Sequence, residues 1–224
     1  MPNKPMLVFL AANFLFVASG GLILAFALVS EREKRALPTI TNVAQRILLG
    51  QCPLTSAIVN SILMFITFLI SLLAVLLPNN RGWLRAHGWL VVSCACFTLG
   101  LGLSIWFGTL QTRRAMGETW AEETSITQSL LQQRFNCCGY TNSTTPPFVQ
   151  DATCIDSVVA AQKGGCVTPF SDFANSYLDI IFTTAFGVVA ADIILLLCTA
   201  MVLKHRQEVE RFRYIDEKTG FSAF

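Results

Sequence analysis

The chain has 224 residues, of which 53% are hydrophobic and only 13% charged, about half the charge of an ordinary soluble domain. Sixteen Lys and Arg against fourteen Asp and Glu leave a formal charge of +2, too balanced for a nucleic-acid binder that works by counterion release. Two histidines leave little for His-based catalysis or a His-rich metal site. Soluble enzyme, DNA-binding module and disordered tail are all excluded as first readings, and a mean hydropathy of +0.55 points to a membrane protein.

Gaps between charges locate the spans. Lys4 to Glu31, Arg46 to Arg81 and Arg85 to Arg113 enclose 26, 34 and 27 uncharged residues, and Asp192 is the one charge among the 24 between Asp179 and Lys204. A helix needs about 20 apolar residues to cross a bilayer core. Lipid leaves no partner for a free backbone amide, so each crossing must be helical. The predicted order is an N-terminal segment 1–6, a first span 7–29, a small outer loop 30–57 and a second span 58–77. An inner turn 78–88, a third span 89–110, a large outer loop 111–179, a fourth span 180–203 and a basic tail 204–224 follow. Ala25-Phe26-Ala27 resembles a signal cleavage site, but an apolar run of about 23 residues exceeds the 7–15 of a signal core. The first span is expected to stay.

Basic residues in short segments orient the chain. Lys4, Arg81, Arg85, Lys204, Arg206, Arg211, Arg213 and Lys218, half of the sixteen, fall in the N-terminus, the inner turn and the tail. Both termini are therefore expected in the cytoplasm, at a plasma membrane crossed four times. Trp83 and Trp89 on one side, with Trp106 and Tyr177 on the other, suit an aromatic belt.

The large outer loop carries the unusual chemistry. Met116, Trp120, Leu131 and Phe135 share one helical face, which predicts a helix rising from the third span and ending near Cys137-Cys138-Gly139, with Gly139 as its left-handed cap. Cys137, Cys138, Cys154 and Cys166 form an even set outside the cytosol and read as two disulfides. Spacings of 1, 16 and 12 match no zinc knuckle. A bond between the adjacent pair would be strained, so two connectivities remain. Residues 139–165 are rich in Thr, Ser, Pro and Gly and have few apolar residues for a core, which is why cross-links are needed. Asn142-Ser143-Thr144 is a glycosylation sequon on the expected outer face. Thr168 and Pro169 suit the cap and first position of a helix running from Phe170 into the fourth span.

These features together resemble a tetraspanin. The resemblance covers nearly the whole chain: four spans, a small and then a large outer loop, the Cys137-Cys138-Gly139 motif, and Gly165-Cys166 just before the last span. It implies an all-α integral membrane protein with a small, disulfide-stabilised, mainly helical extracellular domain, and pairing of Cys137 with Cys166 and of Cys138 with Cys154. Thr153-Cys154 departs from the Pro-x-Ser-Cys form common in animal members. The short, sparse loop is most similar to fungal plasma-membrane tetraspanins linked to infection-cell development and host penetration.

Inside the membrane, Asn13 and Asp192 are the notable polar residues. A mid-span charge costs at least about 2.5–3.5 kcal/mol, and a lone carboxyl with no charged companion suits a protonated interhelical hydrogen bond better than transport. The resemblance also places an Asn in span one and an acidic or amide residue in span four. Gly20, Gly21, Gly100 and Gly102 permit close helix approach. Cys94, Cys96 and Cys198 are candidates for palmitoylation, while Cys52 has no evident partner. His87 and His205 read as interfacial.

No Ser/His/Asp set, HExxH or P-loop is present. The functional expectation is a non-enzymatic organiser that binds other membrane proteins, other tetraspanins and lipids, with no metal and no nucleic-acid partner. No cofactor is expected beyond a sterol in an intramembrane cavity, which the resemblance alone implies. The alternative is a claudin-like junction or channel-forming four-span protein.

Overall fold

The computed structural model describes residues 4–77 and 81–219. The first part of the expected inner turn, 78–80, and the two chain ends, 1–3 and 220–224, lie outside the described residues. The described chain is mainly helical, with eight helices: α1 Lys4–Arg35, α2 Val43–Gln51, α3 Leu54–Leu76, α4 Arg81–Leu110, α5 Thr112–Glu122, α6 Ser125–Phe135, α7 Ser157–Lys163 and α8 Val167–Thr219. Four of them, α1, α3, α4 and α8, are long and apolar enough to cross a membrane.

Helices overrun the boundaries that charge alone suggests. The first continues through Glu31 and Arg32 to Arg35, where Arg46 Nε reaches back 3.1 Å to the Lys34 carbonyl and satisfies one of its terminal acceptors. Residues 81–88, expected in the inner turn, are already α4. The last helix has 53 residues. It starts at Val167, ahead of the expected Thr168 cap, and accepts Pro169 within its first turn, where a missing N–H is tolerated. It also continues through most of the basic tail.

The chain divides into two compact units. One comprises 1–25, 55–100 and 185–224, an apolar helix bundle; the other comprises 26–54 and 101–184 and holds both disulfides. In the bundle, Phe9, Phe16, Met64, Leu84, Val91 and Leu195 form the buried apolar core. Gly20 lies against Met64 so closely that an added Cβ would stand 3.2 Å from the Met64 Cβ, a close approach of the kind small residues permit. Nothing stands within 4 Å of such an atom at Gly21 or Gly100. Arg206 donates at 3.1 Å to the Ala74 carbonyl in the last turn of α3, a cation at the negative end of a helix.

In the disulfide-bearing unit, the single helix expected from the Met116–Phe135 periodicity is two. A break at Glu123-Thr124 separates them because Thr124 leaves the helical conformation to cap α6, its hydroxyl accepting from the Thr127 amide at 3.4 Å. The apolar face survives the break: Met116, Trp120 and Leu131 are buried together, with Phe135 packed against them. The small outer loop also contains a helix that its sequence did not announce. Val43, Ala44, Ile47 and Leu48 of α2 enter the same core as Trp120, Leu131 and Phe170, and Gln51 Nε2 donates to Thr119 Oγ1 at 2.6 Å.

A disulfide-braced domain and a polar bundle core

Two cross-links fasten the segment after α6. Cys137 is bonded to Cys166 and Cys138 to Cys154. All four are at most 2% exposed, so their sulfur atoms act as core as well as staple. The chain turns into them through Asn136, not Gly139: Asn136 adopts the left-handed conformation at φ 51° and its amide closes on the Gln132 carbonyl. Asn tolerates this region better than other non-glycine residues. Gly139 is left-handed too, at φ 70°, but for another reason. A Cβ there would run into the Asn142 carbonyl. Gly165 is equally constrained, with the Thr141 backbone occupying the space of a side chain. These glycines let two backbone runs meet, and Cys138 N–H donates to the Gly164 carbonyl at 2.8 Å while Cys166 N–H donates to Gly139 at 3.0 Å.

A single side chain organises the polar interior. Gln132 is fully buried. Its Oε1 accepts from Gly139 N–H at 3.2 Å and Val149 N–H at 3.1 Å, and its Nε2 donates to the Val149 carbonyl at 2.7 Å and to Asp151 Oδ2 at 2.9 Å. The amide is thereby fully satisfied, as a buried polar group must be. Asp151 also accepts from Ser129 Oγ at 2.9 Å and from the Thr153 and Cys154 amides at 2.7 Å each. Partial burial opposes its charge, but these donors together outweigh that and hold its carboxyl below the usual carboxylate range. A carboxyl depressed on folding contributes stability above its unfolded value, and that stability is lost as pH falls through the folded one. Acid below about pH 4 is therefore expected to loosen the 139–165 segment, read as faster proteolysis there, and Asp151→Asn should flatten that dependence.

Tyr140 closes the domain from another side. Its ring lies 5.7 Å from Trp120 and its hydroxyl donates to the Arg113 carbonyl at 2.5 Å. Burial raises its phenol above the ordinary value. Gly117 makes room for it: a Cβ there would approach the Tyr140 ring to 2.9 Å. Tyr177, expected in an aromatic belt, stacks on Phe173 against this core. Asn142 is exposed, and its Oδ1 accepts from Thr144 N–H, Thr144 Oγ and Thr145 N–H at 2.7–2.9 Å. The short helix α7 is capped by Asp156, which accepts from Val159 N–H at 2.7 Å. It buries Ala160 beside the Cys138–Cys154 sulfurs and leaves Val158 exposed, with Ile155 exposed just before it.

The bundle carries the other expected residues. Asn13 and Asp192 are both buried. Asn13 Nδ2 donates to the Phe9 carbonyl at 2.9 Å in its own helix, and among the described residues neither Asn13 nor Asp192 makes the interhelical hydrogen bond that the sequence suggests. Asn60, which sequence reading passed over, does: its Nδ2 donates to Thr98 Oγ1 at 2.7 Å, joining α3 to α4. His87 is wholly buried; its ring meets Phe9 edge-on at 5.7 Å. Among the thiols, Cys94 and Cys198 are buried in the bundle core, Cys96 is exposed, and Cys52 is half-buried. No group of three or more His, Cys, Asp or Glu side chains suited to a metal occurs among the described residues.

Four membrane-length helices, with a cysteine-braced helical domain between the third and fourth, define a four-span membrane protein whose chemistry lies in its third connecting segment. The chain matches the tetraspanin family over residues 6–205, and it belongs to that family. It is thus a multi-pass membrane protein of a class of membrane organisers that associate with other membrane proteins and with one another. The claudin-like alternative loses its support with that match. Neither a curated protein nor a solved structure matches the chain.

Proposed function

We propose that this protein is a non-enzymatic organiser that recruits particular membrane proteins laterally through the segment 139–165, at a plasma membrane with both chain ends in the cytoplasm. The observation that carries this reading is a rigid platform with an apolar edge. Two disulfides and the Gln132–Asp151 network hold the segment, while Ile155 and Val158 stay 59% and 64% exposed. A pre-ordered surface loses little entropy on binding, which favours affinity from a small contact. Asn142 is the proposed glycan site, exposed on the same segment. Cys96 is the proposed acylation site, because an acyl donor has no access to the buried Cys94 and Cys198 thiols. The resemblance to fungal tetraspanins suggests infection-cell penetration of a host as the process served.

Capture from mild detergent tests the reading. The intact protein should bring specific membrane proteins with it, and Cys137→Ala with Cys138→Ala should lose them while its membrane topology persists. Val158→Asp, which leaves the cross-links in place, should reduce the same partners at least tenfold. Partners retained by both variants would overturn the proposal.

A further inference from the structure

Asn142 is held by its own sequon. Its Oδ1 accepts from Thr144 N–H and Thr144 Oγ at 2.9 Å each and from Thr145 N–H at 2.7 Å. The amide and the hydroxyl of the sequon are thus bonded to one another. Both groups define a glycosylation sequon, so a transferase must engage both, and in the folded chain each occupies the other. Donors on the carbonyl oxygen also draw the Nδ2 lone pair further into amide resonance, which weakens that nitrogen as a nucleophile.

The turn is fastened to the cross-links. Thr141 N–H donates to the Thr145 carbonyl and Phe148 N–H to the Ser143 carbonyl, at 3.3 Å each. The Phe148 ring packs against the buried Cys138, Cys154 and Ala160. Val167 N–H donates to the Tyr140 carbonyl at 2.9 Å, beside the bond from Cys166 N–H to Gly139. A side chain at Gly139 would strike the Asn142 carbonyl, and one at Gly165 the Thr141 carbonyl. Opening the sequon therefore means parting backbone runs that Cys137–Cys166 and Cys138–Cys154 hold together.

During synthesis these restraints are still absent. Cys154 and Cys166 follow Asn142 by 12 and 24 residues, and the later one emerges about 1–5 s after it at ~5–20 residues per second. Neither native bond can form before Cys154 arrives. Disulfide formation takes seconds or longer, so sugar transfer and cross-linking run on one timescale. We propose that Asn142 accepts its glycan only while the two disulfides are open, so that closure of Cys137–Cys166 and Cys138–Cys154 fixes the fraction of molecules that carry it. In the transfer, Nδ2 attacks the anomeric carbon of a lipid-linked oligosaccharide diphosphate. The carbon–nitrogen bond forms, the carbon–oxygen bond breaks, the diphosphate leaves with the bonding pair, and Nδ2 gives up one proton. Two forms of the 139–165 segment result, one bearing a glycan and one bare. This inference rests on the reading of Asn142 as the glycan site.

The test uses the full chain, made in a host without the transferase and purified in mild detergent with both disulfides closed. It is incubated with purified oligosaccharyltransferase and a lipid-linked oligosaccharide, and glycan is read by mass, with Asn142→Gln marking the site. The reduced and alkylated chain should be modified at least tenfold faster than the oxidised one. Cys138→Ala with Cys154→Ala, which keeps Cys137–Cys166, should also exceed the oxidised chain. A peptide of residues 139–147, which contains no cysteine, sets the unhindered rate. Equal rates for the oxidised and reduced chains would overturn the timing and leave the glycan site standing. Modification of the peptide but of neither chain would overturn the timing and the glycan site together.

Discussion

Replacing Cys137 and Cys166 together by alanine is expected to lower the stability of the disulfide-bearing unit by about 3–4 kcal/mol. The bond closes a loop of 29 residues, and a loop of that length loses roughly this much denatured-state freedom when it is cross-linked. Native contacts add to the loss. Both sulfur-bearing side chains sit in the apolar core with Trp120 and Phe170, and the Cys166 amide is bonded to the Gly139 carbonyl. The Cys138–Cys154 bond, closing 16 residues around Ala160, should be worth about half a kcal/mol less on the same entropic ground. Thermal unfolding of the purified protein, with limited proteolysis of 139–165, checks the order. Equal effects for the two pairs would show that core packing, and not loop closure, dominates.

Trp120→Ala is the second large effect, about 3–5 kcal/mol. Trp120 is 1% exposed and stands among Leu48 of α2, Leu131 of α6 and Phe170 of α8. Its removal would open a cavity where the small and large connecting segments share one core. Trp120→Phe should cost under about 1.5 kcal/mol, a size change the core partly absorbs. The indole nitrogen finds no partner among the described residues, so no hydrogen bond is forfeited. Circular dichroism melts of the two variants separate these cases. A phenylalanine variant as unstable as the alanine one would mean that the indole nitrogen has a partner the protein supplies only in the membrane.

The two interiors differ in how they reach one structure. In the disulfide-bearing unit every donor of Gln132 is matched, and buried networks of that kind specify a single arrangement. Among the described residues, the bundle instead leaves polar atoms of Asp192, Asn13 and Asn60 without a protein partner. Substituting Gln132 should accordingly disrupt folding, whereas substituting the bundle residues should alter the bundle's behaviour more than its assembly.

Spans were legible in the sequence because a bilayer imposes length and forbids charge, two properties written along the chain without reference to any neighbour. Cys137, Cys138, Cys154 and Cys166 stood out for a similar reason: their number and their setting in an apolar-poor stretch announce cross-linking. Helix limits were not legible. Thr124 divides the expected α5–α6 helix by capping, and α8 runs through Val167 and on to Thr219 because nothing after Pro169 interrupts it. The helix α2 escaped notice since its apolar face is short and gains stability only from Trp120, Leu131 and Phe170, residues distant in sequence. Nor did the sequence show that the His87 ring would meet Phe9 of α1 and the Thr67 carbonyl of α3. Composition and spacing thus determined the number of crossings and the chemistry of the braced segment. Which thiols are accessible, that Gln132 and Asp151 form one network, and that Asn60 bonds Thr98 were decided only when helices far apart in the chain packed together, because burial and hydrogen-bond partnership are properties of the neighbours a residue acquires.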